Sequence, residues 1–224
     1  MSTQKSEIQL TVNDQTTNAY LASPQNGGPG ILVLHAWWGL KPFFKQVCDQ
    51  LAEHGYTVLA PDLYQGDIAK TIDEAKVFHE KHENEFMGDI VKAAKDYLVS
   101  LQPGMPIGVM GFSMGAAWSM IVAAKEPDVS TVVLFYGAYV PDLGQMKAKV
   151  LGHFAEVDEW EPLDGVKVME NDMKSAGVDV TFHFYPGVAH WFVETDRPEY
   201  DAESARLAWD RTFEFLHTSS RGDA

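Results

Sequence analysis

The chain has 224 residues, 46% apolar and 22% charged, the make-up of a globular protein with length enough for a sizeable core. Its 32 Asp and Glu against 17 Lys and Arg leave a formal charge of −15, which argues against nucleic acid or an anionic membrane surface as a partner, since both need clustered positive charge. Cys48 is the only cysteine, which excludes an intrachain disulfide, and no run approaches the roughly 18 apolar residues of a membrane span.

The opening stretch MSTQKSEIQL lacks the apolar core of a signal peptide, so the cytoplasm is the expected compartment. Two strands, EIQLTV and TNAYLASP, are predicted around a hairpin turn at Asn13-Asp14. Short apolar runs follow: GILVLHA, YTVLAPDL, PIGVMGF, VSTVVLFYG, AKVLGHF and VDVTFHFYP. Rich in β-branched and aromatic residues, they read as strands buried on both faces.

Between them the spacing predicts helices over 42–54, 72–101 with a break near 83–87, 116–125, 163–176 and 202–216. In the first, Pro42 stands near the start, Gly55 follows the end, and Phe44, Val47, Cys48 and Leu51 form the apolar face. Cys48 therefore reads as core. No repeat, low-complexity tract or Gly/Ser linker marks a boundary, so one domain is expected over 1–224. Alternating strands and helices predict a mostly parallel sheet covered on both faces, with chemistry in the loops beyond the carboxyl ends of its strands.

At one such end, Gly111-Phe112-Ser113-Met114-Gly115 fits G-x-S-x-G in a strand–turn–helix context, which makes Ser113 a candidate nucleophile. A serine hydroxyl needs a base to take its proton. In elbow-type hydrolases the order is Ser, acid, His, which leaves His153, His183, His190 and His217. His153 and His183 fall inside apolar strands and His217 ends the last helix. His190, in YPGVAHWF after a strand and a Pro-Gly turn, is the expected base. The segment AEVDEWEP supplies Glu156, Asp158, Glu159 and Glu161 as acids, with Asp164 beyond them. The oxyanion donors are expected to be the backbone N–H groups of Met114, after the nucleophile, and Trp37, in HAWWG.

Taken together, LHAWWGLKPFFKQVCDQLAEHGYTVLAPDLY, GFSMG, AEVDEWEP, YPGVAHWF and RPEYDAESARLAWDRTFEFL resemble the dienelactone hydrolase family of the α/β-hydrolase superfamily over about residues 5–217. The resemblance implies a single-domain α/β-hydrolase fold without a large cap domain, Asp158 and His190 as acid and base, and the Trp37 and Met114 amides as oxyanion hole. Family members typically carry cysteine in the elbow, where this chain has Ser113. The prototype's glutamate beside that cysteine is here Ala36. A thiol is poised by charged neighbours, whereas a hydroxyl relies on a general base, so a Ser-His-Asp mechanism is expected.

Prototype enzymes hold an anionic lactone with arginines, one a few residues after the histidine. Here that stretch reads Trp191-Phe192-Val193-Glu194, with Arg197 beyond. His35, Ala36, Trp38, Tyr64, Phe112, Trp191 and Phe192 are expected to line the substrate pocket. In VFHEKHENEF, His79 and His82 stand three apart, not the four of H-E-x-x-H, and a solvated helix face is expected there. No metal and no cofactor is expected. The expected function is hydrolysis of a small ester or lactone by a monomer or small homo-oligomer. A non-catalytic binding or sensory protein on the same fold is the alternative.

Overall fold

The computed structural model describes residues 2–82, 84–144 and 146–220. The chain divides into two compact units, Met1–Met110 and Gly111–Ala224.

In the first unit, β1 (Thr3–Val12) and β2 (Gln15–Pro24) form an antiparallel hairpin closed by the pair Val12 and Gln15. Asn13 and Asp14 both have left-handed backbones, φ 45° and 62°. A two-residue type I′ turn requires this, and short polar side chains tolerate it. β4 (Thr57–Pro61) pairs antiparallel with β2 and parallel with β3 (Gly30–Leu34). Both β3 and β4 are buried at every position, which is why they read as continuous apolar runs.

The helix α1 (Pro42–Glu53) starts on its proline and buries Phe44, Val47, Cys48 and Leu51 as their spacing predicts. Burial pushes the Cys48 thiol well above its ordinary range, so it stays protonated and packs as an apolar side chain. The long helical region does break: α2 (Ile72–Lys81) is followed by α3 (Asn84–Ser100). The break was expected near 83–87; α3 has already resumed at Asn84, and Glu83 lies outside the described residues. α2 opens on a capping box, in which Thr71 accepts from the Glu74 N–H and the Glu74 carboxylate accepts from the Thr71 N–H. β5 (Ile107–Phe112) is buried throughout.

In the second unit, α4 (Met114–Lys125) packs on β6 (Val129–Phe135), and β6 pairs parallel with β7 (Lys149–Ala155). α5 (Leu163–Ser175) leads to β8 (Val180–Tyr185), parallel to β7, and α6 (Ala202–Ser220) ends the described chain. The expectation that every run is buried on both faces fails at β8, where Thr181 is exposed and His183 and Phe184 are half-buried. β8 closes the strand order β1-β2-β4-β3-β5-β6-β7-β8 and is an edge. The order is mostly parallel, as expected for an α/β-hydrolase fold. Among the described residues no cap domain interrupts it, and no helix is long and apolar enough to cross a membrane.

One buried polar cluster stiffens this second core. The Thr212 hydroxyl donates to the Ala208 carbonyl (2.8 Å), so its oxygen is left to accept from His153 Nε2–H (3.0 Å). His153 Nδ1 then accepts from the Tyr185 hydroxyl at 2.8 Å. Fully buried, with both ring nitrogens used, His153 is held neutral, and burial lowers its pKa well below the ordinary histidine value.

Candidate active site

A single residue separates β5 from α4. Ser113 turns the chain with φ 52° and ψ −113°, a backbone that an L side chain rarely adopts and that costs on the order of 1–3 kcal/mol. Its surroundings leave no other option. The Ser113 N–H donates to the Phe135 carbonyl (2.9 Å), and the Ser113 carbonyl accepts from the Ala116 N–H (2.8 Å). A Cβ on Gly111 would lie 2.1 Å from the Gly115 carbonyl oxygen, and one on Gly137 would lie 2.4 Å from the Ser113 carbonyl oxygen. Only glycine allows these close approaches.

His190 comes from the loop after β8, which turns at Pro186-Gly187 with Gly187 at φ 71°. Glu156 fastens this loop to the one after β7. Its carboxylate accepts from the Gly187 N–H (2.9 Å), while Val157 N–H reaches the Val188 carbonyl (3.0 Å). The bridging places His190, 3% exposed, between two partners. Nδ1–H donates to Asp158 Oδ2 at 2.7 Å, and Nε2 accepts from the Ser113 hydroxyl at 3.0 Å. The Asp158 side chain is 1% exposed, and its other oxygen accepts from the Trp160 and Glu161 N–H groups at 2.8 and 3.0 Å.

A hydroxyl, an imidazole and a carboxylate thus share one hydrogen-bonded line, with the tautomer fixed by the carboxylate. The remaining acids are not members of this line. Glu159 and Asp164 are exposed, Glu156 serves the loop bridge, and burial raises the pKa of Glu161. His183 stacks on His153 with ring centroids 5.9 Å apart, and His217 is exposed on α6.

The aromatic residues expected to line a pocket are mostly core. Phe112 is fully buried and stacks on Phe135 at 4.7 Å. Phe192 is fully buried against Tyr185, ring centroids 4.9 Å apart. His35 is fully buried: its Nδ1–H donates to the Ala36 carbonyl (2.6 Å), and its Nε2 accepts from the Leu63 N–H (3.0 Å). Burial lowers its pKa, and with both nitrogens engaged it is a structural histidine. Ala36 and Tyr64 are 0% exposed and Trp38 1%. Trp37 is half-buried and shares an edge-on contact with Trp38. A side chain without accessible surface presents nothing to a ligand, so the pocket role does not hold for the fully buried members of this set.

Two charged side chains after the histidine are engaged within the fold, and one further expectation changes. Glu194 is fully buried and accepts from the Tyr136 hydroxyl at 2.8 Å, so it is no exposed anion facing a substrate. Arg197 is engaged with Glu199 through two hydrogen bonds, 3.2 and 3.3 Å, and lies over the Trp191 ring. The His79–His82 stretch is not a solvated face throughout. The His82 side chain is 8% exposed, stacks on Tyr64 at 4.8 Å and meets Asp67 at 3.0 Å, although His79 is exposed. Among the described residues no three His, Cys, Asp or Glu side chains are grouped to hold a metal.

Sequence reasoning missed Tyr136, whose ring lies 4.8 Å from His190. Burial first, then the Glu194 charge, hold its hydroxyl protonated well above the ordinary tyrosine range. Its only signal was its place just past the end of β6, in FYG.

The profile of the dienelactone hydrolase family matches residues 17–220. Protein usf of Aquifex pyrophilus is 35% identical, an alignment spanning 93% of this chain and 96% of that one. A protein of Aquifex aeolicus named as a candidate carboxymethylenebutenolidase is 32% identical over 94% of this chain and 97% of its own. Two solved structures share the fold. A candidate dienelactone hydrolase from Klebsiella pneumoniae superposes with a TM-score of 0.87 at 24% identity, covering 97% of this chain and 99% of that one. The dienelactone hydrolase-like promiscuous phosphotriesterase P91, from metagenomic libraries, gives 0.85 at 18% identity, covering 98% and 99%. The chain belongs to the dienelactone hydrolase family, and with it to the hydrolases of esters and lactones.

Proposed function

We propose that this protein is a serine hydrolase that opens a small ester or lactone through an acyl-enzyme. The observation that carries the reading is the line from Ser113 Oγ through His190 to Asp158, at 3.0 and 2.7 Å. As Ser113 Oγ attacks the carbonyl carbon, His190 Nε2 takes its proton, and Asp158 stabilises the imidazolium that forms. The carbonyl oxygen becomes an oxyanion, for which the Met114 amide at the start of α4 is one donor. The family resemblance implies the Trp37 amide as the second.

Collapse of the intermediate breaks the acyl–oxygen bond, and His190 returns its proton to the departing alkoxide. In a lactone that alkoxide stays tethered to the acyl group. Water then attacks the acyl-enzyme with His190 as base again, releasing the acid and restoring the hydroxyl. The hydroxyl version is favoured over the thiol one because the base is already bound to Ser113. The engagement of Arg197 with Glu199, and the overall charge of −15, favour a neutral substrate over an anionic one.

A panel of aryl and alkyl esters and small lactones, run on wild type and Ser113→Ala, tests the reading. Wild type is expected to turn over at least one member, and the variant to lose about 10³-fold or more in kcat. Mass spectrometry is expected to find an organophosphonate adduct on Ser113 that His190→Ala does not form. Equal turnover by both proteins, labelling at another residue, or tight binding with no turnover by either would overturn it.

A further inference from the structure

Trp191 follows the base directly and has a left-handed backbone, φ 67°, an outlier for so bulky a residue. It is 3% exposed, and three groups pack on its ring. His190 meets it at 90° with ring centroids 4.8 Å apart, Trp160 lies 5.9 Å away, and the Arg197 guanidinium sits 4.7 Å from the ring centre. Two turns bring Arg197 there: the Glu194 N–H donates to the Trp191 carbonyl (2.8 Å), and the Arg197 N–H to the Glu194 carbonyl (2.9 Å). The guanidinium then lies over the indole while its Nε and Nη2 donate to the two Glu199 oxygens, a combination that a planar fork allows.

The neighbours of this ring belong to both halves of the acid–base pair. Trp160 donates its N–H to Asp158, while His190 is the residue next to Trp191 in the chain. We propose that Trp191, clamped by the Arg197–Glu199 pair, is the positioning residue that holds His190 in line between Asp158 and Ser113. The inference rests on the serine-hydrolase reading above. It gives Arg197 a role unlike the capture of an anionic substrate: the cation fixes an indole, the indole fixes the loop of the base, and Trp160 carries the same contact to the loop of the acid. None of these three side chains needs to touch the reacting atoms. Loss of the clamp therefore changes the rate of the chemical step more than the affinity for substrate.

The test compares wild type with Arg197→Ala, Arg197→Lys and Glu199→Gln, each checked for folding by circular dichroism and thermal melting. It reads kcat and KM on an accepted ester, together with the low-field proton resonance of the His190 Nδ1–H bond to Asp158. Arg197→Ala is expected to lower kcat about 10- to 100-fold, leave KM within about twofold, and broaden or remove the resonance. Arg197→Lys, which keeps a cation over the ring, is expected to recover much of both. Should Arg197→Ala not fold, Glu199→Gln carries the test with the same expected direction.

A folded Arg197→Ala or Glu199→Gln variant with wild-type kcat and an intact resonance would overturn the clamp. So would a loss confined to KM. Failure of the underlying reading looks different. In that case wild type itself lacks a low-field resonance that Asp158→Asn abolishes, or Ser113→Ala keeps its turnover.

Discussion

Ser113, the proposed nucleophile, shows how much the placing of one side chain depends on backbone. Its conformation is held by the carbonyl of Phe135, by the first turn of α4 and by two glycines that leave room for close approach. Gly137→Ala would place a methyl 2.4 Å from the Ser113 carbonyl oxygen and 2.6 Å from the Ala116 Cβ. Such overpacking is expected to cost about 1–3 kcal/mol of stability. It is also expected to lower kcat more than a surface variant of equal stability does, as urea unfolding and ester kinetics together would show. Ser113 and His190 stood out in the sequence because each stands at a strand end in a recognisable local pattern. Tyr136 and Gly137 stand at an equivalent end but carry no such pattern. Their importance arises from contacts to residues distant in the chain, Glu194 and His190 for Tyr136, Ser113 and Ala116 for Gly137, which spacing does not encode. Most of the expected pocket set is buried for a related reason, because an aromatic residue near a strand end packs inward as readily as it lines a cleft.

At the scale of elements, alternation of apolar runs and amphipathic stretches marked out each strand and helix, and the errors fall at boundaries. α4 starts at Met114, not Ala116, because the elbow makes Ser113 its first cap even though glycine at 115 weakens the local helical signal. β8 was expected to be buried on both faces, yet a strand's neighbours and not its own composition decide whether it is an edge. α2 was the least legible helix, since Ala75 is its only buried residue. Its existence leans on the capping box. Thr71→Ala is expected to destabilise the fold by about 1 kcal/mol, and Thr71→Ser by much less, in urea or thermal melts.

For the molecule as a whole, the two fully buried histidines His35 and His153 make stability depend on acid. Burial lowers both pKa values, so at mildly acidic pH the unfolded chain binds protons that the folded chain does not. Stability from this source is full above the unfolded value of about 6.5 and is lost as pH falls below it. Melting temperature is expected to drop between about pH 7 and pH 5, and His153→Gln, which cannot titrate, is expected to melt lower at pH 7 but with a shallower pH dependence. A slope unchanged by that substitution would assign the acid response to other groups. The charge of −15 adds self-repulsion near neutrality, which acid relieves, so the histidine effect works against the trend of net charge.

The turn at position 113 has one more implication, for the side chain proposed as nucleophile. Because neighbours dictate φ 52° there, the bend does not depend on which side chain it presents. Exchanging the oxygen at this bend for sulfur alters a single atom and disturbs none of the bonds that hold the residue. On the serine-hydrolase reading, any preference for hydroxyl over thiol then lies in the groups that accept the proton and not in the bend.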